Sequence, residues 1–591
     1  MKQFFKFMFA SMLGFFLTFI LIFFIGMSIL IVVSLSKTET VVVPSNSILQ
    51  VSLEEEIHDR PSSDPFNFVN LSKFEIDKKL GLNDVLKSLK KAASDDNIKG
   101  ILLELGSIPS GLATIEEIRN ALIKFKESGK FIISYGEVYS QKAYYMASVA
   151  DEVYLNPEGF IEFKGLAGQV MFIKGLLDKF DIETTIIRGK NNKFKSAVEP
   201  LMYDKMSEAN KEQTRVYVTS LWDNMLEGIS NSRNISTESL NAIADGLEIK
   251  SAELAVQHKL VDDIVFKDEL LDKLRDKLGL DPNKKISNIT LKKYFDVPAV
   301  KKIKKRSKNK IAVIYAQGEI KSGKQDEMTI SSDRLSKTIR KARLDEKIKA
   351  IVLRVNSPGG SALASEVIYR EVVLAKKEKP LIVSMGNLAA SGGYYIACGA
   401  DKIYANPTTL TGSIGVFGIM PNFQATLKNW LGITFDGVNT NTYSDFGSAV
   451  RPMSPYEENV IRYFIEDIYD TFIAHVAEGR NMTTSQVDSI GQGRVWCGVD
   501  AKKIGLVDEF GGLELAIKEA AKMAELDEYR TVSLPVQKDF LDKLIDGLSI
   551  NMSTKSLEKE LGENYDYFTF IRDLSEMDKY QARLPFMIEI Q

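Results

Sequence analysis

Residues 345–366 read DEKIKAIVLRVNSPGGSALASE, and residues 95–116 read DDNIKGILLELGSIPSGLATIE. The two stretches align without a gap at an offset of 250 positions (345 against 95). The same offset holds where GYYIACGADKIYANP (393–407) lies over AYYMASVADEVYLNP (143–157). Agreement in residue type and spacing over separate stretches is the signature of an internal repeat. The chain is therefore predicted to be a tandem duplication of one unit.

Within each copy, short β-branched runs alternate with longer amphipathic stretches. Ile351–Val355 and Leu381–Ser384 have the composition of buried strands. Ser361–Lys376, which follows a Pro-Gly-Gly turn, and Gly392–Gly399 are predicted to be the helices after them. Strand, turn, helix and strand in this order predict right-handed crossovers and a largely parallel sheet covered by helices. The predicted fold class is α/β.

A chain of 591 residues is too long to fold around one ordinary hydrophobic core, so two domains are expected. We place the first half at 45–300 and the second half at 311–591, with the basic run KKIKKRSKNK (301–310) between them. Such a run favours a solvated linker, and contact with an acidic partner or with lipid is the alternative. The repeat fades after Val532, so the sequence predicts little about residues 535–591.

The composition narrows the classes of function. Apolar residues make up 45% of the chain and charged residues 26%, which argues against global disorder. The formal net charge of −3 argues against nucleic acid as a partner, because phosphate-binding surfaces usually bring a basic excess. Cys398 and Cys497 have no metal-ligand spacing and cannot form a disulfide scaffold, so an extracytoplasmic location is tolerated without being indicated. We expect no metal and no cofactor.

The N-terminus has the composition of a membrane anchor. No charged residue occurs from Phe7 to Leu35, a run of roughly 29 residues where a bilayer core needs about 20. Lys2 and Lys6 precede the run, so the N-terminus is predicted to be cytoplasmic and everything after Lys37 to lie outside. A cleaved signal peptide is the alternative, but its apolar region would span only about 7–15 residues. An uncleaved anchor over residues 1–36 is therefore favoured.

The two copies differ at the start of one helix. The second copy reads ASGGYY at 390–395 and the first reads SQKAYY at 140–145, so Ser391 aligns with Gln141. A serine at a helix start has free backbone N–H groups and the positive end of the helix dipole beside it, and the glycines allow close backbone approach. Ser391 is thus a candidate nucleophile. An ordinary N-cap is the alternative.

A second glycine pair also occurs only in the second copy. It reads NSPGGS at 356–361, where the first copy reads GSIPSG at 106–111. Backbone amides that converge on a carbonyl form an oxyanion hole, and each donor is often worth about 3–4 kcal/mol. The amides of Gly359, Gly360 and Gly392 are the candidate donors.

A nucleophilic serine needs a base. The chain has three histidines, none of which lies beside a Gly-rich turn or an acidic motif: His58, His258 and His475. A lysine can serve if burial lowers its pKa from about 10.4 towards 7–8. The first copy reads FKSAVEP at 194–200 and the second reads FGSAVRP at 446–452, so Lys195 aligns with Gly447. One copy keeps the serine and the other keeps the lysine.

This complementary loss favours Lys195 as the base over an ordinary exposed lysine. Lys190 and Lys193 are nearby competitors, but neither directly precedes the shared Ser-Ala-Val. A base often needs a third group to orient it. Ser413, in TGSIG (411–415), could hold the amine by a hydrogen bond, and a polar turn is an equally good reading of that segment.

Five motifs together resemble the long, duplicated form of the signal peptide peptidase A (protease IV) family: NSPGGS, ASGGYY, TGSIGVFG, FKSAVEP and GRVWCGVDAKKIGLVDE. The resemblance spans nearly the whole chain. It implies a tandem crotonase- or Clp-protease-like fold of repeated ββα units after one transmembrane helix. It also implies a serine (Ser391) from the second half, a lysine (Lys195) from the first and assistance from Ser413. Cys497 departs from the hydroxyl or small residue that is commoner there.

The resemblance further implies a homotetramer on the outer face of the bacterial cytoplasmic membrane that degrades cleaved signal peptides. The expected chemistry is acyl transfer, in which neutral Lys195 takes the Ser391 proton and the glycine amides hold the oxyanion. Signal peptides and other short apolar peptides are the expected substrates, with lipid contacted by the N-terminal helix. The alternatives are a crotonase-like acyl-CoA enzyme, an inactive membrane scaffold and a histidine triad.

Overall fold

The computed structural model describes most of the chain. The described residues are 2–36, 42–61, 69–70, 75–76, 79–298, 307–323, 328–537, 580–583 and 588–590. Residues 301–306 of the expected linker lie outside them.

The first half follows a long N-terminal helix and contains strands β1 to β10 and helices α2 to α11. The strands are β1 Ser47–Val51, β2 Val69–Asn70, β3 Glu75–Ile76, β4 Ile98–Glu104, β5 Phe131–Tyr139, β6 Glu152–Ile161, β7 Gly168–Val170, β8 Glu183–Arg188, β9 Asp263–Ile264 and β10 Asn288–Thr290. The N-terminal helix is α1 Lys2–Ser36. The helices of the first half are α2 Leu82–Ala93, α3 Leu112–Lys126, α4 Gln141–Ala147, α5 Lys174–Lys179, α6 Glu199–Met202, α7 Glu208–Arg233, α8 Thr237–Asp245, α9 Ala252–Gln257, α10 Lys267–Leu278 and α11 Leu291–Phe295.

The second half repeats this alternation. Its strands are β11 Lys310–Gln317, β12 Ile320–Lys321, β13 Ile330–Ser331, β14 Ile348–Ser357, β15 Gly359–Ser361, β16 Leu381–Ala390, β17 Lys402–Ala405, β18 Leu410–Gly412, β19 Phe417–Asn422, β20 Val495–Cys497, β21 Glu509–Phe510, β22 Arg530–Leu534, β23 Tyr580–Arg583 and β24 Ile588–Ile590. Its helices are α12 Ser332–Leu344, α13 Ala362–Lys376, α14 Gly392–Ala397, α15 Gln424–Leu431, α16 Pro455–Arg480, α17 Thr484–Ile490, α18 Gly498–Lys503 and α19 Leu513–Met523.

Each half has its own central sheet. The first runs β10-β1-β4-β5-β6-β9 with every neighbouring pair parallel. The second runs β20-β18-β16-β14-β11-β22, with β17 and β21 attached beside β16, and only β18 and β20 pair antiparallel. Helices cover these sheets, so the strands are apolar on both faces. The predicted α/β duplication with mostly parallel sheets is confirmed.

The local predictions around the second sheet hold with one difference. The predicted strands fall inside β14 and β16, and the predicted helices correspond to α13 and α14. The Pro-Gly-Gly segment was expected to be a turn, but Gly359–Ser361 forms a short strand. It does so because backbone partners lie on both sides, in β12 and in β23 near the C-terminus.

A third sheet joins the two halves. Its order is β13-β12-β15-β23-β19-β8, and β8 is the one strand in it from the first half. Antiparallel pairing with β19 runs in register from Glu183 beside Asn422 to Arg188 beside Phe417. The chain that follows β8 therefore continues along the second half, although the division at 45–300 and 311–591 itself stays a prediction.

A buried charge cluster also connects the halves. The Arg354 guanidinium, on β14, donates to Asp59 Oδ1 at 2.8 Å and to Glu117 Oε1 at 2.7 Å, both in the first half. All three side chains are buried. Removing one partner of such a cluster would leave a buried charge unpaired and would lower the free energy of unfolding by about 3–5 kcal/mol. The interface between the halves is therefore specific.

Helix α1 stands apart from this packing. Its stretch Gln3–Ile25 is long and apolar enough to cross a membrane, with a mean hydropathy of 2.5, and none of its window is buried against the rest of the protein. The predicted single apolar helix before the duplicated fold is confirmed. A signal sequence near the N-terminus would meet the same criteria of length and composition.

Candidate active site

Lys195 reaches the second half because the chain after β8 is held against the loop before β20. The Phe194 amide donates to the Gln492 carbonyl at 2.9 Å. Gly493 packs so closely on the lysine that a Cβ there would lie 2.5 Å from Lys195 Cα. The Gly493 amide in turn donates to the Ile414 carbonyl at 2.7 Å. The lysine backbone is thus fixed before its side chain makes any polar contact.

The Lys195 amine meets two serines of the second half. Its Nζ lies 2.8 Å from Ser391 Oγ, 3.0 Å from Ser413 Oγ and 3.0 Å from the Ser413 carbonyl oxygen. An uncharged amine has two N–H donors and one lone pair. The two donors match the two Ser413 oxygens, and the lone pair then faces the Ser391 hydroxyl. This arrangement allows the lysine to accept a proton from Ser391.

The surroundings of Lys195 favour the uncharged amine. The side chain is 1% exposed, and the Phe417 ring centroid lies 5.9 Å from Nζ. Burial lowers the pKa of Lys195 well below its ordinary value, because a charged ammonium loses its hydration there. A lysine whose pKa is lowered in this way can act as a general base.

Ser391 lies at a sharp bend between β16 and α14. Its backbone has φ 54° and ψ −115°, a conformation that costs a non-glycine residue about 1–3 kcal/mol. Its amide donates to the Gly412 carbonyl at 2.8 Å, which holds the bend, and the residue is 0% exposed. Strain of this kind persists only where the surrounding structure enforces it. Here it turns the hydroxyl towards Lys195.

The three candidate oxyanion glycines lie in different environments. The Gly359 amide donates to Ser357 Oγ at 3.1 Å, so that N–H is already engaged. A Cβ on Gly360 would lie 2.1 Å from the Ile320 carbonyl oxygen. Gly392 begins α14, so its N–H has no acceptor within the helix. A Cβ on Gly359 would lie 2.8 Å from the Gly392 nitrogen, which places these two glycines against each other. Their role stays a prediction.

The equivalent place in the first half holds no serine. Gln141 begins α4 there, and its Oε1 accepts hydrogen bonds from the amides of Lys164 and Gly165, both at 2.8 Å. Its Nε2 donates to the Gly165 carbonyl at 2.9 Å. Under the repeat, Gly165 corresponds to Gly415, whose carbonyl lies 3.5 Å from Ser391 Oγ. The glutamine amide thus binds the first-half counterpart of the loop that borders Ser391 in the second half.

Sequence reasoning missed two residues that position the lysine. Gln213, on α7, donates through Nε2 to the Phe194 carbonyl at 3.0 Å and to Ser196 Oγ at 2.8 Å, on either side of Lys195. Its Oε1 accepts from the Val495 amide at 3.2 Å. Gln213 lies in no motif, so no signal pointed to it. Gly493 opens GRVWCG, but without the fold its contact with Lys195 could not be recognised.

The competing bases contact other groups. Lys193 is exposed, and its Nζ lies over the Phe194 ring at 4.8 Å. The Lys190 Nζ forms an ion pair with Asp470 at 2.9 Å. Each histidine lies beside a glutamate, in pairs with the following distances: His58 and Glu56 at 3.7 Å, His258 and Glu248 at 3.3 Å, His475 and Glu366 at 3.0 Å. Within the described residues, none of these side chains shares a hydrogen bond with Ser391.

Comparison with protein families agrees with this architecture. The model of peptidase family S49 matches residues 124–281 and 374–527, one stretch in each half. The Clp protease model matches residues 302–411, which contain the strand-and-glycine segment of the second half. The predicted Clp-protease-like fold in tandem is thereby confirmed.

Individual relatives cover most of the chain. Protease 4 of Salmonella typhi is 38% identical over 477 residues, which are 79% of this chain and 76% of that protein. Protease 4 of Haemophilus influenzae is 37% identical over 457 residues, 76% of this chain and 74% of its own length. The chloroplastic serine protease SPPA of Arabidopsis thaliana is 33% identical over 499 residues, 83% of this chain and 71% of its own length. The chain therefore belongs to peptidase family S49, in its long protease IV (signal peptide peptidase A) form, and is a serine peptidase.

Proposed function

We propose that Ser391 is the nucleophile of this peptidase and that Lys195 is its general base. Lys195 Nζ takes the proton from Ser391 Oγ as that oxygen bonds to the carbonyl carbon of a peptide. The Gly392 amide, at the start of α14, stabilises the oxyanion together with a second donor from the Gly359–Gly360 segment. Ser413 orients the amine through its hydroxyl and its carbonyl. The observation that carries the proposal is the 2.8 Å contact between Lys195 Nζ and Ser391 Oγ.

The remaining steps transfer the proton to the leaving amine and regenerate the Ser391 hydroxyl. Protonated Lys195 gives its proton to the leaving amine as the peptide C–N bond breaks, which leaves an acyl ester on Ser391. A water molecule loses a proton to Lys195 and attacks the ester. Ser391 then recovers its hydroxyl proton from Lys195, and the acid product leaves.

We further propose that the substrates are cleaved signal peptides and other short apolar peptides. The putative signal peptide peptidase SppA of Enterococcus faecium is 38% identical over 191 residues, 32% of this chain and 55% of its own length. The apolar helix α1 supports a single-pass anchor, which would hold the site near membrane-derived peptides. Lys2 and Lys6 support a cytoplasmic N-terminus, with the peptidase on the outer, periplasmic face of the bacterial cytoplasmic membrane.

We also propose a homotetramer, and the repeat supports a head-to-tail arrangement of its chains. In the first half, the segment that leads to Lys195 packs its apolar residues, such as Leu177, against Phe417 of the second half. The equivalent segment of the second half, residues 428–444, is exposed throughout, and Val438 is 99% exposed. An exposed apolar segment of this kind marks an interface. Docking on the first half of a neighbouring copy would cover it, and repeated docking closes a ring.

The catalytic proposal is tested with the full chain in detergent micelles and an apolar signal-peptide sequence, with the cuts mapped by mass spectrometry. We expect Ser391→Ala and Lys195→Met each to lower kcat/KM by roughly 10³-fold or more. Lys193→Met, an exposed lysine two residues away, is the matched control and should cleave like the parent. Parent-like cleavage by both active-site variants would refute the dyad and favour the scaffold or acyl-CoA alternatives.

The assembly is tested separately by the mass of the protein in detergent. The parent should have the mass of four chains, and Val438→Asp should give smaller species, because the charge would be buried at the interface. Phe266→Asp changes another exposed apolar residue in a different part of the chain and should leave the assembly unchanged. A parent that behaves as a single chain would refute the tetramer.

A further inference from the structure

Arg494 contacts two aromatic rings beside the candidate dyad. Its guanidinium carbon lies 4.6 Å from the centroid of the Phe194 ring and 4.6 Å from the Trp496 ring. Phe194 belongs to the first half and directly precedes Lys195. Trp496 belongs to strand β20 of the second half, and Arg494 lies in the turn before that strand. The guanidinium therefore joins the segment that carries the lysine to the half that carries the serine.

The backbone of Arg494 holds other groups of the site. Its carbonyl accepts a hydrogen bond from the Ser413 amide at 2.7 Å, and its amide donates to the Gly491 carbonyl at 2.9 Å. Gly412, which precedes Ser413, accepts the Ser391 amide at 2.8 Å. A Cβ on Gly412 would lie 3.0 Å from the Arg494 carbonyl oxygen, so the two segments are in close contact. A displacement of Arg494 would thus move the bend that carries the nucleophile.

The turns on either side of this contact need support from their surroundings. Gln492 has φ 54° and Ser413 has φ 51°, conformations that non-glycine residues rarely adopt. Strain of this kind persists only where neighbouring contacts enforce it. The ion pair of Arg494 with Glu212 at 3.1 Å is partly exposed and contributes little. The ring contacts contribute more, because the arginine side chain is only 19% exposed and cation–π attraction strengthens as water is excluded.

Only the second copy has this arginine. GRVW (493–496) aligns with LEIK (247–250) of the first copy, so Arg494 aligns with Glu248. The Glu248 carboxylate lies 3.3 Å from the His258 ring nitrogen. A carboxylate could not replace the guanidinium on an aromatic ring, because the face of the ring is itself negative. The arginine therefore occurs in the copy whose turn contacts the lysine segment and is missing from the other.

The same turn keeps water away from the lysine. Gly493, the residue before Arg494, packs so closely that a Cβ on it would lie 2.5 Å from Lys195 Cα. Lys195 is 1% exposed, and this burial is the cause of its lowered pKa. A turn that moved away from Lys195 would admit water to the amine. The pKa of Lys195 would then rise towards that of a free lysine.

We propose that Arg494 is a positioning residue that keeps the lysine amine in register with the nucleophile. The guanidinium joins Phe194 to Trp496, and the carbonyl holds Ser413. This inference rests on the proposed serine–lysine dyad and adds the group that holds its two halves together. Arg494 acts through these neighbours and not on the peptide.

The test is Arg494→Lys in the full chain in detergent, with cleavage of an apolar signal-peptide sequence measured across a range of pH. Lysine keeps the positive charge but has no planar group to stack on the rings. We expect kcat to fall at least about tenfold, because misplacing a reacting group by about 1 Å can cost roughly 100-fold. KM should stay constant, and the midpoint of the pH profile of kcat/KM should move upwards. Arg215→Lys, the same exchange at an exposed arginine on α7, is the matched control and should behave like the parent.

A second variant removes a ring instead of the guanidinium. Phe194→Leu should reproduce both the loss in kcat and the upward shift of the pH profile, and it decides the question by these readouts if Arg494→Lys does not fold. The double variant should lose little more than either single variant, because both exchanges break the same contact. Lys193→Met removes the amine that also lies over the Phe194 ring, and it should cleave like the parent. Fully additive losses in the double variant would refute the stacking contact as the cause.

The outcomes separate this inference from the proposed function. A lowered Tm with parent-like kcat and pH midpoint in Arg494→Lys would make Arg494 a stabilising residue only and would overturn the inference. A raised KM with unchanged kcat would assign Arg494 to peptide binding and also overturn it. Both results leave the dyad intact. A parent that does not cleave the peptide refutes the proposed function itself.

Discussion

Replacement of Ser413 by alanine tests how the lysine is oriented. The change removes the hydroxyl that lies 3.0 Å from Lys195 Nζ but keeps the backbone carbonyl at the same distance. One amine N–H then loses its acceptor in a buried place. A net hydrogen bond is worth about 0.5–1.5 kcal/mol and an unsatisfied buried donor costs about 1–3 kcal/mol. We therefore expect a loss of about 1–2 kcal/mol in transition-state stabilisation.

That loss corresponds to a decrease in kcat of roughly 5- to 30-fold. KM should stay constant, because Ser413 is proposed to contact the amine and not the peptide. The assay is steady-state cleavage of an apolar signal-peptide sequence by the full chain in detergent. Ser336→Ala, which removes a buried hydroxyl on α12, is the control for a general effect on packing and should leave kcat unchanged.

The backbone at Ser413 requires a second variant. Serine and alanine both carry a Cβ, so a φ of 51° is strained in either residue, whereas glycine adopts it freely. Ser413→Gly removes the hydroxyl without that strain. Equal losses in both variants would assign the effect to the hydroxyl. Parent-like kcat in the glycine variant would refute the orienting role of the Ser413 hydroxyl.

Three further predictions concern the same molecule. The kcat/KM of the parent should rise with pH through the lowered pKa of Lys195 and level off above it. The reason is that only the uncharged amine accepts the Ser391 proton. A rise centred near the pKa of a free lysine would contradict this prediction. Gly493→Ala should reduce both Tm and activity, since φ is 82° and its Cβ would lie 2.5 Å from Lys195 Cα; parent-like kcat/KM in this variant would show that the contact is dispensable. Burial raises the pKa of Glu116 to about 7, so its neutral form stabilises the fold at low pH and that stability is lost as pH rises from about 4.5 through 7. Glu116→Gln should remove about 3 kcal/mol of the pH dependence of the free energy of unfolding. The assay compares the change in Tm between pH 5 and pH 8 in the variant and the parent. An equal change in both would show that Glu116 is not the source of the pH dependence.

The repeat made much of the fold and the candidate dyad predictable. The same pattern of strands and helices occurs in both aligned copies. For this reason β14, β16, α13 and α14 could be placed from composition. The first copy has no serine at the position aligned with Ser391, and the second copy has no lysine at the position aligned with Lys195. This difference is why these two residues stood out from the other serines and lysines. The apolar pattern and the alignment of the two copies are both read from short stretches of sequence. Predictions based on them succeed where the structure is determined by the same short stretches.

The remaining features depend on partners that are distant in the chain. Pairing of β8 with β19 and of β23 with β15 requires edges that come together only after folding. Gln213 holds the backbone around Lys195 from a helix with no motif of its own. The Gly359 amide, one of the proposed oxyanion donors, donates to the Ser357 hydroxyl in this structure. Such choices between nearby acceptors are decided by ångström-scale geometry.

The amide of Gln141 has a consequence for how this protein could evolve. Changing it back to serine would leave the Lys164 and Gly165 amides without their acceptor and would open a void, while the position equivalent to Lys195 is now Gly447. A second centre of the proposed kind would need two substitutions, Gln141→Ser and Gly447→Lys. Under the proposed pairing of Ser391 with Lys195, deletion of either half would remove one of the two reacting groups.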